Sequence, residues 1–156
     1  MLQVKFIRRQ DSHFTKFSNI RSTQKLVLPK NTKMKYCVHF IFINRQVLLL
    51  KRKKTNPFFP NIWTPVIGKI KADEKPIHAT VRETMEETSI HISDPIFFKQ
   101  DTYQQDSYWF YYSSTVPSPI QLNHENETYQ LFNLNELPDS LWSLFKAAIL
   151  DVSFLD

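Results

Sequence analysis

Apolar residues recur along this chain with two different periods, and the changes of period mark its elements. Tyr36 to Ile43 (YCVHFIFI) and Val47 to Arg52 (VLLLKR) are rich in β-branched and aromatic residues, with Asn44 to Gln46 between them. That pattern predicts a hairpin. Residues 54–65 (KTNPFFPNIWTP) carry Pro57, Pro60 and Pro65 and read as loop. The period then lengthens, and residues 76–88 read as a helix. Residues 95–104 and 107–116 predict two strands around Gln105 to Ser107, and residues 129–134 (YQLFNL) a further short one. Residues 136–150 predict a C-terminal helix with Leu141, Leu144, Phe145 and Ile149 on one face. Several strands, a central helix and a terminal helix make a mixed α/β domain. Residues 1–35 stand apart as an N-terminal extension: Leu2 to Ile7 and Lys25 to Pro29 read as an added strand or two, or as a loosely packed arm.

The central helix predicts two opposed faces. Pro76 suits its first position, and Asp73 and Glu74 lie near its positive end, although Lys75 is a poor N-cap. Ile77, Val81 and Met85 are spaced i, i+4, i+8 and are expected to dock it on a sheet. Glu83, Glu86 and Glu87 fall within about 100° of arc on the other side and are expected to face outward. Like charges at i, i+4 cost a helix roughly a few tenths of a kcal/mol, and Arg82 can answer only part of that charge.

Composition narrows the classes. No apolar run approaches the roughly 18 residues of a membrane span, and the N-terminus lacks the apolar core of a secretory signal. The single cysteine, Cys37, has no intramolecular disulfide partner and sits in an apolar run, so it reads as a buried small hydrophobe. A reducing, cytoplasmic setting is expected. The net charge of +5 suits a polyanionic partner and equally suits plain solubility.

Glutamate and glycine usage sharpens the picture. The chain has one glycine, Gly68, and four of its seven glutamates lie within residues 68–90, where no lysine occurs between Lys75 and Lys99. Clustered carboxylates on a rigid helix provide the hard oxygen donors that Mg²⁺ or Mn²⁺ takes. Mg²⁺ keeps waters and shares itself with substrate phosphates, so such a cluster suits phosphate chemistry better than a closed structural site. The bland alternative is a solvated acidic face.

Gly68, five residues, Glu74, seven residues, Arg82-Glu83, then Glu86-Glu87 and Ile90 match the Nudix box G-x5-E-x7-R-E-U-x-E-E-x-G-U in register. Those fixed identities arise by chance on the order of 10⁻⁷ per start position at average residue usage. The stretch therefore resembles the Nudix hydrolase family, from about Tyr36 to the C-terminal helix. The resemblance includes the lead-in NIWTPVIGKI, which looks most like members acting on nucleoside triphosphates or dihydroneopterin triphosphate. Two positions depart from the box: Thr84 replaces an aliphatic residue, and Ser89 replaces the second glycine, where a left-handed backbone costs serine about 1 kcal/mol.

The resemblance implies an α/β/α sandwich with a mixed central sheet, over residues 36–156. It also implies Mg²⁺- or Mn²⁺-dependent attack of water on a nucleoside diphosphate linked to another moiety. Glu86 and Glu87 would be the main metal ligands, with Glu83, the Gly68 carbonyl and Glu125 assisting. Glu83 is also a candidate general base, Arg82 an orienting residue, and Glu74 a supporting carboxylate near Arg82. Glu127 competes with Glu125 for the late carboxylate. Arg52, Phe59 and Trp63 are candidate substrate contacts, and Phe58, Tyr108 and Trp109 could likewise stack a base; the alternatives are a solvated basic end for Arg52 and core packing for the five aromatic residues. The histidines have no zinc-like spacing and read as structural or surface residues. The leading activity is conversion of a (d)NTP to monophosphate and pyrophosphate. Alternatives are a dinucleoside polyphosphate, a nucleotide sugar, ADP-ribose or an RNA 5′ end; a homodimer stays open. A non-catalytic nucleotide- or RNA-binding module would have lost box carboxylates, and none is lost.

Overall fold

The computed structural model describes residues 33–152. The expected N-terminal strand or arm in residues 1–32 lies outside the described residues. Met34 ties the start of the described chain to the sheet: its N–H donates to Asp106 Oδ1 (2.8 Å), and its carbonyl accepts from Ser107 N–H (3.0 Å).

The predicted hairpin forms from β1 (Lys35–Ile43) and β2 (Gln46–Arg52). Asn44 and Arg45 turn with φ of 51° and 66°, the left-handed pair that matches strand twist in a two-residue hairpin loop. β1 pairs with β2 only at the hairpin end, at Phe42↔Val47 and Ile43↔Gln46. Farther back the two strands part, and β4 (Val66–Lys69) takes that edge of β1, from Tyr36↔Lys69 to His39↔Val66. On its other edge β1 runs parallel to β6 (Asp106–Thr115), which pairs antiparallel with β5 (Ile96–Tyr103). β3 (Trp63–Thr64) and β7 (Asn126–Phe132) pair with β2, completing a mixed seven-stranded sheet. Within residues 54–65, expected to be loop, Trp63 and Thr64 pair with Lys51 and Leu50, a two-residue strand too short to carry a period.

Side-chain alternation divides the core between the two faces of this sheet. Val38, Phe40, Val47, Leu49 and Phe110 point to one face, which α2 (Ser143–Val152) covers with Phe145, Ala148 and Ile149. Ile41, Ile43, Leu48, Leu50 and Val66 point to the other, where Ile90 and Ile92 join them. α1 (Pro76–Thr88) packs on that second face over β1, β4 and β6, giving the expected α/β/α sandwich. α2 starts later than predicted. Pro138 favours an extended approach, and Leu141 is buried just ahead of the helix.

The docking face of α1 corrects the sequence reading. Ile77 and Met85 are 36% and 41% exposed, and the helix docks instead through Ala79, Thr80, Thr84 and Thr88, each wholly buried. Threonine counts as polar in a hydrophobicity pattern, but here each hydroxyl donates to the carbonyl four residues back. Thr80 to Pro76, Thr84 to Thr80 and Thr88 to Thr84 measure 2.9, 2.7 and 2.7 Å. With its hydroxyl satisfied inside the helix, each side chain has its methyl to bury. The carboxylates do not all face outward either: Glu87 lies on the docking side and is 2% exposed.

Thr84 also fixes a buried histidine. His39, on the α1 face of β1, contacts Thr84 Oγ1 through Nδ1 (2.7 Å) and Ser113 Oγ through Nε2 (2.9 Å). The Thr84 proton is committed to the Thr80 carbonyl, so Nδ1–H donates and Nε2 accepts. Burial pulls the His39 pKa down to about 3, which leaves the ring neutral. Thr84→Val would restore an aliphatic residue to the box but orphan Nδ1–H. It is expected to lower unfolding free energy by about 1–3 kcal/mol in urea titration; an unchanged midpoint would contradict this account. Ser89 does adopt the left-handed conformation, at φ 59°, and its N–H caps the helix on Met85 O (3.0 Å).

Candidate functional site

The α1 face of β4 places Gly68 directly under the helix, beside Cys37 on β1 in the strand register. A Cβ built on Gly68 would overlap the carboxyl end of Glu83. The glycine is therefore needed for close approach; its φ is not positive. The Cys37 thiol donates to the Gly68 carbonyl (3.6 Å), and burial pushes its pKa up to about 12, so it is neutral and a buried small side chain, as expected.

Glu83 is held from the other side by Arg82. Arg82 Nη1 donates to Glu83 Oε1 (2.6 Å) and Glu86 Oε2 (3.2 Å), while Nη2 reaches the Lys69 carbonyl (3.1 Å). Nε and Nη2 bind both oxygens of Glu74 at 2.8 and 2.9 Å, a bidentate pair of the strong kind. Glu74 in turn accepts from Lys71 N–H (3.0 Å). One guanidinium thus ties the loop after β4 to two carboxylates of α1. The Arg82 bond holds Glu74 down at about 2, and the same carboxylates raise the Arg82 pKa. Glu83 moves the other way: burial raises its pKa, against the pull of Arg82.

Arg52 makes the second clamp, and here the solvated-end alternative fails. As the last residue of β2 it shares the parity of Leu48 and Leu50, so its side chain turns under α1 and the residue is 5% exposed. Nη1 lies 3.4 Å from Glu87 Oε1, and Nη2 lies 3.0 Å from Glu125 Oε2. Glu87 is buried to the point that its pKa rises well above the usual carboxylate range, despite Arg52. Its Oε2 has no hydrogen-bond partner among the described residues, and neither does Arg52 Nε. Buried charged groups with unmet valence are costly and are concentrated where a ligand completes them.

These groups border one cleft of about 390 Å³, which Glu83, Glu86, Glu87, Glu125, Arg52 and Arg82 line together with Gly68. Lys69, Lys71, Tyr36, Phe58 and Phe59 line it too. Glu74 stands behind Arg82, outside the lining. Glu127 is exposed and does not line it. Trp63 is not brought in either: its ring packs edge-on against Phe132 (5.0 Å), with Lys51 Nζ 5.5 Å from its centroid. Tyr108 is core, stacked on Tyr36 at 5.2 Å. Sequence reasoning missed Tyr36, Lys69 and Lys71. Lys69 was findable, since it adjoins the box glycine on a strand that leads into the helix.

Among the described residues, no three His, Cys, Asp or Glu side chains converge into a preformed cation cage. The donor set still fits a hard divalent cation shared with phosphates. Four carboxylates border one cleft, and a buried oxygen of Glu87 is left without a partner.

A family model, the NUDIX domain, matches residues 34–151. The chain belongs to the Nudix family. An m7GpppN-mRNA hydrolase, NUDT17 of Xenopus laevis, is 38% identical over 52 residues, which cover 33% of this chain and 18% of that protein. This Nudix chain thus matches under a fifth of that relative's length. Among solved structures, a MutT NUDIX hydrolase from Burkholderia pseudomallei superposes with a TM-score of 0.69 at 21% identity, over 78% of this chain and 98% of that one. A C. elegans Ap4A hydrolase does so with a TM-score of 0.65 at 20% identity, over 78% and 96%. At these identities the likeness concerns the fold, and it is the fold of Nudix hydrolases. No helix among the described residues is long and apolar enough to cross a membrane.

Proposed function

We propose that this Nudix chain is a pyrophosphohydrolase that uses Mg²⁺ or Mn²⁺ to cleave a phosphoanhydride bond in a nucleoside diphosphate linked to a further group. The observation that carries the reading is the cleft itself. Four glutamates border it, two of them answered by one arginine and the other two by a second, and one buried carboxylate oxygen is unmet.

Glu86 and Glu87 would hold the cation, assisted by Glu83, Glu125 and the Gly68 carbonyl. When bound, the cation neutralises phosphate oxygens and acts as a Lewis acid at phosphorus. Arg82 fixes the carboxyl of Glu83 through Oε1, and burial raises the basicity of that carboxylate. A raised pKa suits a base that accepts a proton from the attacking water. Glu74 keeps Arg82 in place without touching substrate. Arg52, Lys69 and Lys71 line the cleft with positive charge that a polyphosphate can meet.

A nucleoside triphosphate, releasing monophosphate and pyrophosphate, is the smallest substrate that satisfies this reading. A second reading enlarges the leaving group to a second nucleoside or an RNA 5′ end. It is favoured by a further pocket beside the cleft and accords with the substrates named for NUDT17 and the C. elegans Ap4A hydrolase. The test is metal-dependent cleavage of a nucleotide panel, read by chromatography of the nucleotide products.

A further inference from the structure

Among the described residues, four buried side-chain atoms have no hydrogen-bond partner: Arg52 Nε, Thr64 Oγ1, Glu87 Oε2 and Asn126 Oδ1. Native structures leave few such atoms, and each one calls for water, an ion or a chemical role to complete it. These four are not scattered. Thr64 on β3 lies opposite Leu50, and Asn126 at the start of β7 lies opposite Arg52, so both share the α1 face of β2 with those residues. The bond from Arg52 N–H to Ile62 O (3.0 Å) sets Thr64 diagonally across from Arg52. Glu87 reaches the same guanidinium from α1. Thr64 and Asn126 are buried as deeply as the two charged residues.

A break in strand register brings Asn126 here. Lys51 pairs with Thr128 but Arg52 pairs with Asn126, so Glu127 is passed over. A bulge of this kind re-aims side chains and is common beside active sites. It leaves Glu127 exposed and sets Asn126 beside Arg52. The Asn126 amide has a fixed orientation. Its Nδ2 donates to Asn123 Oδ1 (3.0 Å), which also accepts from Glu125 N–H (3.2 Å), so Oδ1 is the free end. Arg52 spends Nη1 and Nη2 on Glu87 and Glu125, which leaves Nε–H as the donor that can fix the turn of the guanidinium plane. Neither Thr64 nor Asn126 lines the cleft, so both stand behind Arg52 rather than against a substrate.

We propose that buried water bound by Arg52 Nε, Thr64 Oγ1 and Asn126 Oδ1 fixes this guanidinium, which makes Thr64 and Asn126 positioning residues for the two carboxylates it holds. The donors and acceptors balance. Arg52 Nε–H donates to the water, the water donates to Asn126 Oδ1, and the Thr64 hydroxyl takes either part. Together these make about the three hydrogen bonds that a buried water forms. Glu87 Oε2 is left to the cation. An anchor one bond behind metal-binding carboxylates changes metal affinity or activity by about 10–100-fold. That Glu87 and Glu125 hold a cation belongs to the function proposed above, on which this inference rests.

The experiment measures Mn²⁺ affinity by electron paramagnetic resonance in wild type, Thr64→Val, Thr64→Ser, Asn126→Leu and the Thr64→Val, Asn126→Leu double variant. It adds kcat and KM on whichever nucleotide is cleaved, and a crystal structure of the metal-free protein. Thr64→Val keeps the side-chain shape, and it and Asn126→Leu should each weaken Mn²⁺ binding by about ten-fold and lower kcat with KM unchanged. Thr64→Ser, which restores the hydroxyl, should recover most of the affinity. The double variant should lose little more than either single one, because both act through the same water. The crystal structure should show ordered water within hydrogen-bond distance of Arg52 Nε. A direct bond from Nε to a protein acceptor would overturn the inference, as would additive losses or wild-type affinity in both single variants. Failure of Thr64→Ser to recover affinity would reduce Thr64 to packing and overturn it too. If no nucleotide is cleaved, the affinities still decide. The expected pattern would then support the anchor while removing the hydrolytic reading, and a wild type that binds no Mn²⁺ would remove both.

Discussion

Gly68→Ala is expected to lower turnover by about 10²-fold while the protein remains folded, because a misplacement of about 1 Å at a reacting group has that effect. The added methyl would lie where the Glu83 carboxyl now sits. Glu83 cannot simply swing aside. Its Oε1 is held by Arg82, which is itself locked by both oxygens of Glu74 and by the Lys69 carbonyl. Either the β4–α1 spacing opens or the Arg82 network breaks, and overpacking of this kind costs about 1–3 kcal/mol. Steady-state kinetics with thermal unfolding separate the two effects. Wild-type turnover in Gly68→Ala would mean that the position of Glu83 is irrelevant to the chemistry.

Glu87→Gln should have the larger catalytic effect, a fall of about 10³-fold in kcat, the equivalent of losing roughly 4 kcal/mol of electrostatic stabilisation. Glutamine keeps the shape and the contact with Arg52 but removes the charge. Arg52 retains Glu125 at 3.0 Å, so the stability cost should stay below the about 3–5 kcal/mol of a fully broken buried pair. The same variant should lose the rise in melting temperature that Mn²⁺ gives wild type, since a ligand stabilises only the state that binds it. A variant that keeps the Mn²⁺ shift would place the cation elsewhere.

Much of the fold was legible because local and global signals agree along most of the chain. The β1–β2 hairpin, the α1 boundaries and the β5–β6 pair each follow from strand or helix period with turn residues at the joints. The docking face of α1 was not legible. Ile77, Val81 and Met85 form the better apolar stripe, yet the helix buries threonines whose hydroxyls are satisfied by its own carbonyls, a bond that no hydropathy pattern records. Burial of Glu87 follows from the same rotation, because Glu87 and Thr80 share that side of the helix. Residue types in register brought the four cleft glutamates and Arg82 to notice. Arg52 was ambiguous because KRKK looks like a solvated end. Only pairing with β7 and the parity set by Leu48 and Leu50 turn its side chain inward. Phe58 and Phe59 could not be told apart in sequence, since nothing in the residue types announces the left-handed backbone at Phe59, whose ring packs on Trp142 while Phe58 stays exposed.

The most direct measurement is chromatographic detection of the cleaved nucleotide products from nucleoside triphosphates, dinucleoside polyphosphates, nucleotide sugars and capped RNA, with Mg²⁺, Mn²⁺ or EDTA. The account predicts turnover on at least one class, dependent on the cation and abolished by EDTA. Turnover that persists in EDTA, or no turnover on any class although Mn²⁺ binds, would contradict it.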